Sequence, residues 1–321
     1  MSAGRVLQAL AADGELSGTA LAARLGITRA AVWKQVERLR ALGVAIEAER
    51  GRGYRLERPL ELLDADRIVA SLSPAARTVL RGIEIHFELD STNAALLRRA
   101  PGDAHGRVCL AEHQMAGRGR RGRTWQSPLA ANLYASFGWR FEGGAAALAG
   151  LSLAVGVVVR ETLARSGVPG VALKWPNDLV AHGRKLGGIL IELGGEIAGP
   201  CDAVIGIGIN VAMPRGAGSA IGQPWIDVAA LAPNATRGAL AAALVDLLLP
   251  ALERFEHYGF ASFRAAYESA DALCGRPIVL ELGRERVEGE ALGVDADGAL
   301  RVRVAGAERR YASGEVSVRA R

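Results

Sequence analysis

The chain has 321 residues, half of them apolar and 23% charged, with a formal net charge of +5. This length predicts about two or three domains, and so large an apolar share excludes a disordered or fibrous protein. Three widely separated cysteines and five scattered histidines argue against a disulfide framework and against the usual zinc-ligand spacings.

The N-terminal segment, residues 1–58, predicts three helices and a β-hairpin. Ser17 and Thr28 stand where helix N-caps are expected, and a glycine-containing turn of about four residues joins the second helix to the third. Arg50–Gly53 forms a basic hairpin tip, which is typical of a wing. We therefore predict a winged helix-turn-helix domain over this segment.

The charge of this segment favours DNA as its partner. It holds 10 lysines and arginines against 6 aspartates and glutamates, so nearly the whole net charge lies in it. The third helix would present Arg29, Trp33 and Lys34 to the major groove, and Arg50 and Arg52 would contact backbone phosphates. The alternatives are a solvated basic face and a domain used only for packing or dimerisation.

Two further units follow along the chain. Pro59 begins a linker, and from Ile83 strands alternate with helices, among them a long apolar helix over 145–165, so residues 59–274 predict a mixed α+β domain. Short alternating strands with tight turns then predict a small β-barrel over residues 275–321. The longest apolar run is too short for a bilayer and the N-terminus lacks a signal pattern, so we expect a cytoplasmic protein without a membrane partner.

The most unusual segment is Gly117–Trp125, in which four arginines and three glycines stand within seven consecutive residues. A packed core does not tolerate such a sequence, so we predict a solvated, mobile loop whose forked cationic donors suit phosphate and carboxylate oxygens. Trp125 would stack on a flat ring. The alternatives are a flexible basic loop and an RNA-binding Arg-Gly tract. We call Ala116–Trp125 the arginine loop.

The chain has three lysines against 36 arginines, so each lysine marks a position that needs a compact charge on a flexible stem. Lys174 and Lys185 lie on either side of a turn, and Lys185 begins a glycine-rich strand. No Walker A loop occurs, and Gly206 and Gly208 lack the third glycine of a dinucleotide-binding turn; we expect them to admit a ligand or backbone close to the strand. Asp90–Asn93 suits a helix N-cap and equally a polar ligand group.

Together these motifs resemble the bifunctional biotin–protein ligases that are also biotin-operon repressors. The resemblance covers essentially the full length, with several motifs in order and correctly spaced. It implies an α+β architecture: an N-terminal winged helix-turn-helix, a central mixed α/β ligase domain and a C-terminal small SH3-like β-barrel. The matching segments are Asp90–Asn93, Ala111–Gln114, Ala116–Trp125, Lys174–Leu179, Lys185–Leu190, Gly206–Asn210, Gly222–Ile226 and Ser313–Arg319.

The resemblance implies an activity in two steps. Biotin and ATP, with Mg²⁺ carried by the ATP and no protein ligand firmly assigned to the metal, give biotinyl-5′-adenylate. The biotinyl group then passes to one lysine of the biotin carboxyl carrier protein of acetyl-CoA carboxylase. It also implies a repressor that binds operator DNA, with biotinyl-adenylate as corepressor and a homodimer as the adenylate-bound form. The rival interpretations are a ligand-sensing regulator without catalysis and a lipoate-type ligase.

The same resemblance implies roles for single residues. Catalysis falls to Arg118, Arg120 and Lys185, while Asp178 orients Lys185 or receives the proton of the acceptor amine. Met115 and Gln126 depart from the family pattern. This departure bears on how the arginine loop packs and leaves the implied chemistry unchanged. The implied biotin contacts are Ser91, Thr92, Asn93, Gln114, Arg118, Gly119, Arg120, Lys185, Gly206 and Gly208. The implied ATP or adenylate contacts are Arg118, Arg121, Arg123, Trp125, Asn177, Lys185, Asn210 and Trp225.

Overall fold

The protein combines a small helical unit, a large sheet covered by helices and a second, smaller sheet. This is the α+β fold class that the sequence predicts, with its three parts in the predicted order. The computed structural model describes residues 3–49, 51–194, 199–214, 216, 218, 221–282, 285–312 and 316–320.

The N-terminal unit is a winged helix-turn-helix. Ser17 Oγ accepts a hydrogen bond from Ala20 N, and Thr28 Oγ1 accepts one from Ala31 N, so both predicted N-caps are present. Gly26 ends the second helix in the left-handed conformation, with φ of +64°. The two caps and this glycine fix the turn between the helices. The elements are α1 (Ala3–Asp13), α2 (Gly18–Leu25), α3 (Arg29–Ala41), β1 (Ile46–Glu49) and β2 (Gly53–Leu56).

The central unit is built on one mixed sheet. Its strands are β3 (Gly82–His86), β4 (Arg107–Ala111), β5 (Leu133–Phe141), β6 (Val171–Lys174), β7 (Asp178–Ala181), β8 (Arg184–Gly194) and β9 (Cys201–Ile209). Within the described residues their order is β3-β4-β5-β9-β8-β7-β6, and only β3 and β4 are parallel neighbours. Strand β9 therefore lies in the middle of the sheet, between its antiparallel neighbours β5 and β8.

Helices cover this sheet on both faces. They are α4 (Ala65–Ser71), α5 (Pro74–Val79), α6 (Thr92–Leu97), α7 (Leu151–Arg165), α8 (Arg237–Tyr258) and α9 (Ala261–Glu268). Helices α7 and α8 pack together over the main core, to which β5 contributes Phe137 and β9 contributes Ile207. Because side chains alternate along a strand, Ser136, Gly206 and Gly208 point to the opposite face, where α6 lies. One face of the sheet therefore packs against the core, and the other carries small and polar residues that leave room for a ligand.

The C-terminal unit is a five-stranded antiparallel sheet within the described residues. Its strands are β10 (Pro277–Leu282), β11 (Glu285–Val294), β12 (Leu300–Val304), β13 (Ala307–Tyr311) and β14 (Val316–Ala320). The hairpin between β11 and β12 rests on the central unit, because buried Trp175 donates its Nε1 hydrogen to Gly298 O at 3.1 Å. The smaller sheet is thus attached directly beside Trp175 of the central unit.

Three local predictions differ from the structure. The segment predicted as a linker after Pro59 contains α4 and α5, which are too short to give a clear periodicity and yet are buried in part against the main core. The helix predicted over 145–165 begins at Leu151, because Gly150 adopts φ of +76° and interrupts it. The last predicted strand, 308–318, is two strands, β13 and β14, and residues 313–315 between them lie outside the described residues.

Candidate active site

A cavity of about 830 Å³ lies on the face of the central sheet that carries α6. Strands β8 and β9 contribute Gly188, Gly206 and Gly208 to its wall, and the arginine loop contributes a run of cationic side chains. The structure thus brings together residues as distant in the sequence as Ser91 and Val318. Every residue predicted to act in catalysis or to contact biotin or ATP lines this cavity: Ser91, Thr92, Asn93, Gln114, Arg118, Gly119, Arg120, Arg121, Arg123, Trp125, Asn177, Asp178, Lys185, Gly206, Gly208, Asn210 and Trp225.

One end of the cavity is a buried network of neutral polar groups at the N-terminus of α6. Gln114 Oε1 accepts hydrogen bonds from Thr92 N at 2.9 Å and from Thr92 Oγ1 at 3.1 Å. Ser136 Oγ lies within hydrogen-bond distance of two oxygens, 2.7 Å from Thr92 Oγ1 and 2.5 Å from Asn93 Oδ1. Ser91 caps α6, with its Oγ 3.5 Å from Ala94 N. A neutral ligand group with several donors and acceptors fits such a wall.

Two glycines of β9 keep the cavity open. A Cβ atom at position 206 would stand 2.3 Å from Asn93 Oδ1, and one at position 208 would stand 2.5 Å from the indole of Trp125. Both distances are far below van der Waals contact, so any side chain there would displace a residue of the wall. The glycines admit the side chains of Asn93 and Trp125 close to the strand, whereas the sequence suggested close approach of a ligand or of backbone.

The arginine loop lies across the cavity. Arg118, Arg121 and Arg123 are exposed, as the sequence predicts, whereas Arg120 is half-buried and its guanidinium lies 3.3 Å from Asn177 Oδ1. Burial lowers the pKa of Arg120. Gly119 N donates to the carbonyl of Arg123 at 2.7 Å, so the loop also bonds to itself. Its cationic donors are therefore held beside the pocket rather than dispersed in solvent.

Lys185 brings an ammonium group to the same place. Its Nζ lies 2.6 Å from Asp178 Oδ1 and 5.7 Å from the centroid of the Trp125 ring. Trp125 Nε1 is buried and has no hydrogen-bond partner among the described residues, which leaves it to a ligand acceptor. The backbone of Lys185 pairs with the segment around Trp225, which Asn210 fastens by donating its amide hydrogens to Lys185 O at 3.3 Å and Ile226 O at 3.2 Å.

The described part of the chain offers no cluster of three or more His, Cys, Asp or Glu side chains that suits a metal ion. In the same residues, every helix is too short or too polar to cross a bilayer. The cavity presents cations, neutral polar groups and the Asp178 carboxylate, which is paired with Lys185, and it suits a ligand that combines negative charge with polar and flat parts.

Comparison with known proteins agrees with this chemistry. Residues 87–210 match the model of the biotin/lipoate A/B protein ligase family, residues 5–55 match an HTH domain, and residues 273–319 match the biotin protein ligase C terminal domain. The bifunctional ligase/repressor BirA of Escherichia coli is 43% identical over 314 residues, which cover 98% of this chain and 96% of that protein. The chain belongs to the biotin protein ligase family.

Other relatives of this biotin protein ligase agree with that assignment. The biotin–[acetyl-CoA-carboxylase] ligase of Paracoccus denitrificans is 37% identical over 67% of this chain and 91% of its own length. Among solved structures, the biotin protein ligase from Aquifex aeolicus in complex with biotin and ATP superposes with a TM-score of 0.64, at 25% identity over 75% of this chain and all of that one. The predicted family and ligase function are confirmed, and the roles of single residues stay predictions.

In this biotin protein ligase the residues predicted to contact DNA differ in how accessible they are. Arg29, Trp33 and Lys34 are exposed on α3, and the indole of Trp33 is 58% exposed, which is unusual for so large an apolar side chain. Arg52 is exposed at the hairpin, but it also pairs with Glu15 at 3.0 Å and with Glu49 at 3.1 Å. Arg50 lies outside the described residues.

Several residues at the ligase site were not predicted from the sequence. Ser136 and Tyr134 come from β5, and Glu192 comes from β8, where it bonds to two predicted ligand contacts. The alternating pattern of β5 signals Ser136, because a polar residue in an otherwise apolar strand needs a partner. Glu192 gives no such signal, since its partners are 74 and 99 residues away.

Proposed function

We propose that this enzyme activates biotin with ATP to give biotinyl-5′-adenylate and then transfers the biotinyl group to a lysine of the biotin carboxyl carrier protein of acetyl-CoA carboxylase. One observation supports this most strongly. Neutral hydrogen-bonding groups, a cationic loop with Lys185, and the flat side chains of Trp125 and Trp225 all line one cavity. Biotin's ureido ring, the anionic centre of the adenylate and the adenine ring are the matching chemical groups of the ligand.

In the first step the biotin carboxylate attacks the α-phosphorus of ATP. A carbon–oxygen–phosphorus anhydride forms, and the bond from the α-phosphorus to the bridging oxygen of pyrophosphate breaks. Because both reactants are anions, their repulsion is the main obstacle, and fixed cations reduce it. Arg118, Arg120 and Lys185 line the cavity for this task, and no side-chain nucleophile is needed.

In the second step the neutral ε-amine of the acceptor lysine attacks the carbonyl carbon of the anhydride. An amide forms, AMP leaves with the bonding electron pair, and the proton that the amine loses passes to Asp178 or to the departing phosphate. The arginine loop would keep water from the anhydride until the acceptor arrives. Asp178 lies 2.6 Å from Lys185 Nζ, and this distance supports an orienting role for Asp178 toward that lysine.

Mg²⁺ is proposed to enter with ATP, where it neutralises phosphate charge, because the described residues offer no cluster of carboxylates for a resident ion. The protein's own part is the cationic side chains, which act on the same phosphates. We also propose a cytoplasmic location, where ATP and the carrier protein are present.

The second proposed function is repression of biotin-synthesis genes as an adenylate-bound homodimer. Arg29, Trp33 and Lys34 lie exposed on α3, which is the helix that enters the major groove in proteins of this fold. The exposed indole supports a role in binding, since nothing in the described chain covers it.

The direct test is incubation with biotin, ATP and the carrier domain, followed by intact-mass analysis. We expect one biotin on one lysine of the carrier, with release of pyrophosphate. A folded protein that releases no pyrophosphate would favour the rival of a ligand-sensing regulator. In a competition between equal amounts of biotin and lipoate, preferential transfer of lipoate would favour the other rival, a lipoate-type ligase.

A further inference from the structure

Glu192 on β8 bonds to two residues that line the cavity, Asn93 and Arg118. Its Oε2 accepts a hydrogen bond from Asn93 Nδ2 at 2.8 Å and forms an ion pair with the guanidinium of Arg118 at 3.1 Å. The side chain of Glu192 is 24% exposed and that of Arg118 is 46% exposed, so solvent reaches the pair only in part. Glu192 therefore connects the polar end of the cavity to the arginine loop.

Both partners of Glu192 are residues that we propose to contact biotin. Glu192 engages one nitrogen of the Arg118 guanidinium, so it occupies part of the donor set that a ligand carboxylate would use. Binding of an anionic ligand must therefore compete with Glu192 for Arg118. A neutral ligand has no such competition, because it does not need the guanidinium.

The pair also affects the empty enzyme. Four arginines in one short loop repel one another, and a carboxylate on the adjoining strand offsets part of that repulsion. Asn93 does not depend on Glu192 alone, since its amide also donates to Leu190 O at 3.2 Å. The charge of Glu192 is thus separable from its role in holding Asn93.

We propose that Glu192 sets the affinity for anionic ligands: it holds Arg118 beside the cavity and releases it when a ligand carboxylate takes its place. This inference rests on the proposed function, in which the cavity binds biotin through Arg118. Glu192 is a positioning residue in this scheme, because it acts on the ligand through Arg118 and makes no contact with it.

The test is calorimetric titration with biotin and with its neutral alcohol, biotinol. The proteins are the parent, Glu192→Gln, Arg118→Gln and the double variant. Glutamine keeps an acceptor for Asn93 but removes the charge, so Glu192→Gln should bind biotin about threefold more tightly, the scale of a partly exposed ion pair. Biotinol affinity should stay the same in Glu192→Gln, and adding Glu192→Gln to Arg118→Gln should leave biotin affinity unchanged.

Glu161→Gln is the matched control, because it removes an acid that pairs with Arg165 in an exposed helical pair outside the cavity. We expect it to bind biotin like the parent. Equal or weaker biotin binding by Glu192→Gln would overturn the inference, and so would the same gain for biotinol or in the Arg118→Gln background. If the parent bound neither biotin nor biotinol, the proposed function would fail. If the parent bound biotin but Glu192→Gln gave no selective gain, only the inference about Glu192 would fail.

Discussion

At the scale of single residues, the cavity depends on where side chains are missing. Gly206 and Gly208 are spaced by two on β9, so both face the ligand side of the sheet, and the residues between and beside them face the core. The Trp125 indole occupies the space over Gly208, and Asn93 occupies the space over Gly206. The absence of two Cβ atoms therefore lets Asn93 and Trp125 lie directly against β9.

Gly208→Ala should weaken the binding of ATP and of biotin. The new Cβ would stand 2.5 Å from Trp125, so the indole must move away from its proposed position beside adenine. We expect the KM for ATP to rise up to about tenfold, since loss of a well-packed aromatic contact is worth about 0.5 to 1.5 kcal/mol, and we expect biotin affinity to fall as well, because Gly208 is itself a proposed biotin contact.

Steady-state kinetics in ATP, with biotin titrated separately, would measure both effects. Gly194→Ala on β8 is the control, because its Cβ would meet Leu97 at an ordinary 3.5 Å. An unchanged KM for ATP in Gly208→Ala would show that Trp125 does not contact the nucleotide.

At the scale of secondary-structure elements, α6 is held at both ends. Arg98 follows the last helical residue and reaches back to Asp90, with nitrogen–oxygen distances of 2.6 and 3.1 Å to its two carboxylate oxygens. The Arg98 guanidinium lowers the pKa of Asp90 from its ordinary 3.8 to about 2. This pair fixes the helix whose N-terminus forms the polar end of the cavity.

The sign of the resulting pH dependence follows from that lowered pKa. The folded state favours the Asp90 carboxylate, so the pair stabilises the fold above 3.8 and loses its effect as the pH falls toward about 2. Arg98→Gln should therefore lower the urea midpoint near neutral pH, and its difference from the parent should shrink across that acidic interval. If the difference in urea midpoint between Arg98→Gln and the parent stayed constant down to a pH of about 2, the Asp90–Arg98 pair would not be its cause.

A buried ion pair joins four elements beneath the cavity. Arg237, the first residue of α8, lies 2.8 Å from Glu112 Oε2, and both side chains are almost fully buried. Glu112 Oε1 accepts from Leu63 N at 2.6 Å, and Arg237 donates to the carbonyls of Asn132 and Glu61. The segment that connects the DNA-binding unit to the ligase unit is thus fastened to the end of β4 and the start of β5.

Arg237→Met should destabilise the protein by about 3 to 5 kcal/mol, because it leaves the Glu112 carboxylate buried without a counter-charge. The free energy of urea unfolding measures this loss. Adding Glu112→Gln should restore a large part of it, since glutamine keeps an acceptor for Leu63 N and carries no charge. A double variant no more stable than Arg237→Met would contradict the explanation.

Element periodicity explains how much of this structure was predictable from the sequence. Capping residues and turn glycines identified the helix-turn-helix, and composition alone singled out the arginine loop and Lys185. Gln114, Asn210 and Trp225 were implied only by the family resemblance. Short helices such as α4 and α5 escaped detection, because a helix of two turns gives too little periodicity. Glu192 and the Glu112–Arg237 pair escaped because long-range packing alone brings their partners together.

At the scale of the whole molecule, the DNA-binding unit packs on the ligase unit. Leu129 and Ala130, which follow the arginine loop, belong to the same buried cluster as the helices of the N-terminal unit. Arg38 of α3 pairs with Glu88 at 2.5 Å, and Gly4 of α1 lies against the ring of Phe87. The arginine loop ends at Trp125, only a few residues before Leu129 and Ala130, which pack against the N-terminal unit that contains α3.

The exposed face of α3 gives the prediction for DNA. Arg29→Gln should weaken specific operator binding by about 1 to 3 kcal/mol and relax base preference at one position, if a base-edge contact is lost. Fluorescence anisotropy with biotin and ATP present would measure this. Arg67→Gln removes an equally exposed cation from α4 and should change operator binding little. Equal weakening by both variants would indicate general electrostatics rather than readout by α3.

The central claim is that the arginine loop holds the labile adenylate, and retention of that intermediate tests it most directly. The parent, Arg120→Gly and Arg58→Gly, an exposed arginine outside the cavity, would each be incubated with biotin and ATP, desalted and examined by native mass spectrometry. We expect the parent and Arg58→Gly to keep biotinyl-adenylate, and Arg120→Gly to lose it and to leave biotin on bystander proteins. Retention by Arg120→Gly equal to that of the parent would contradict the account.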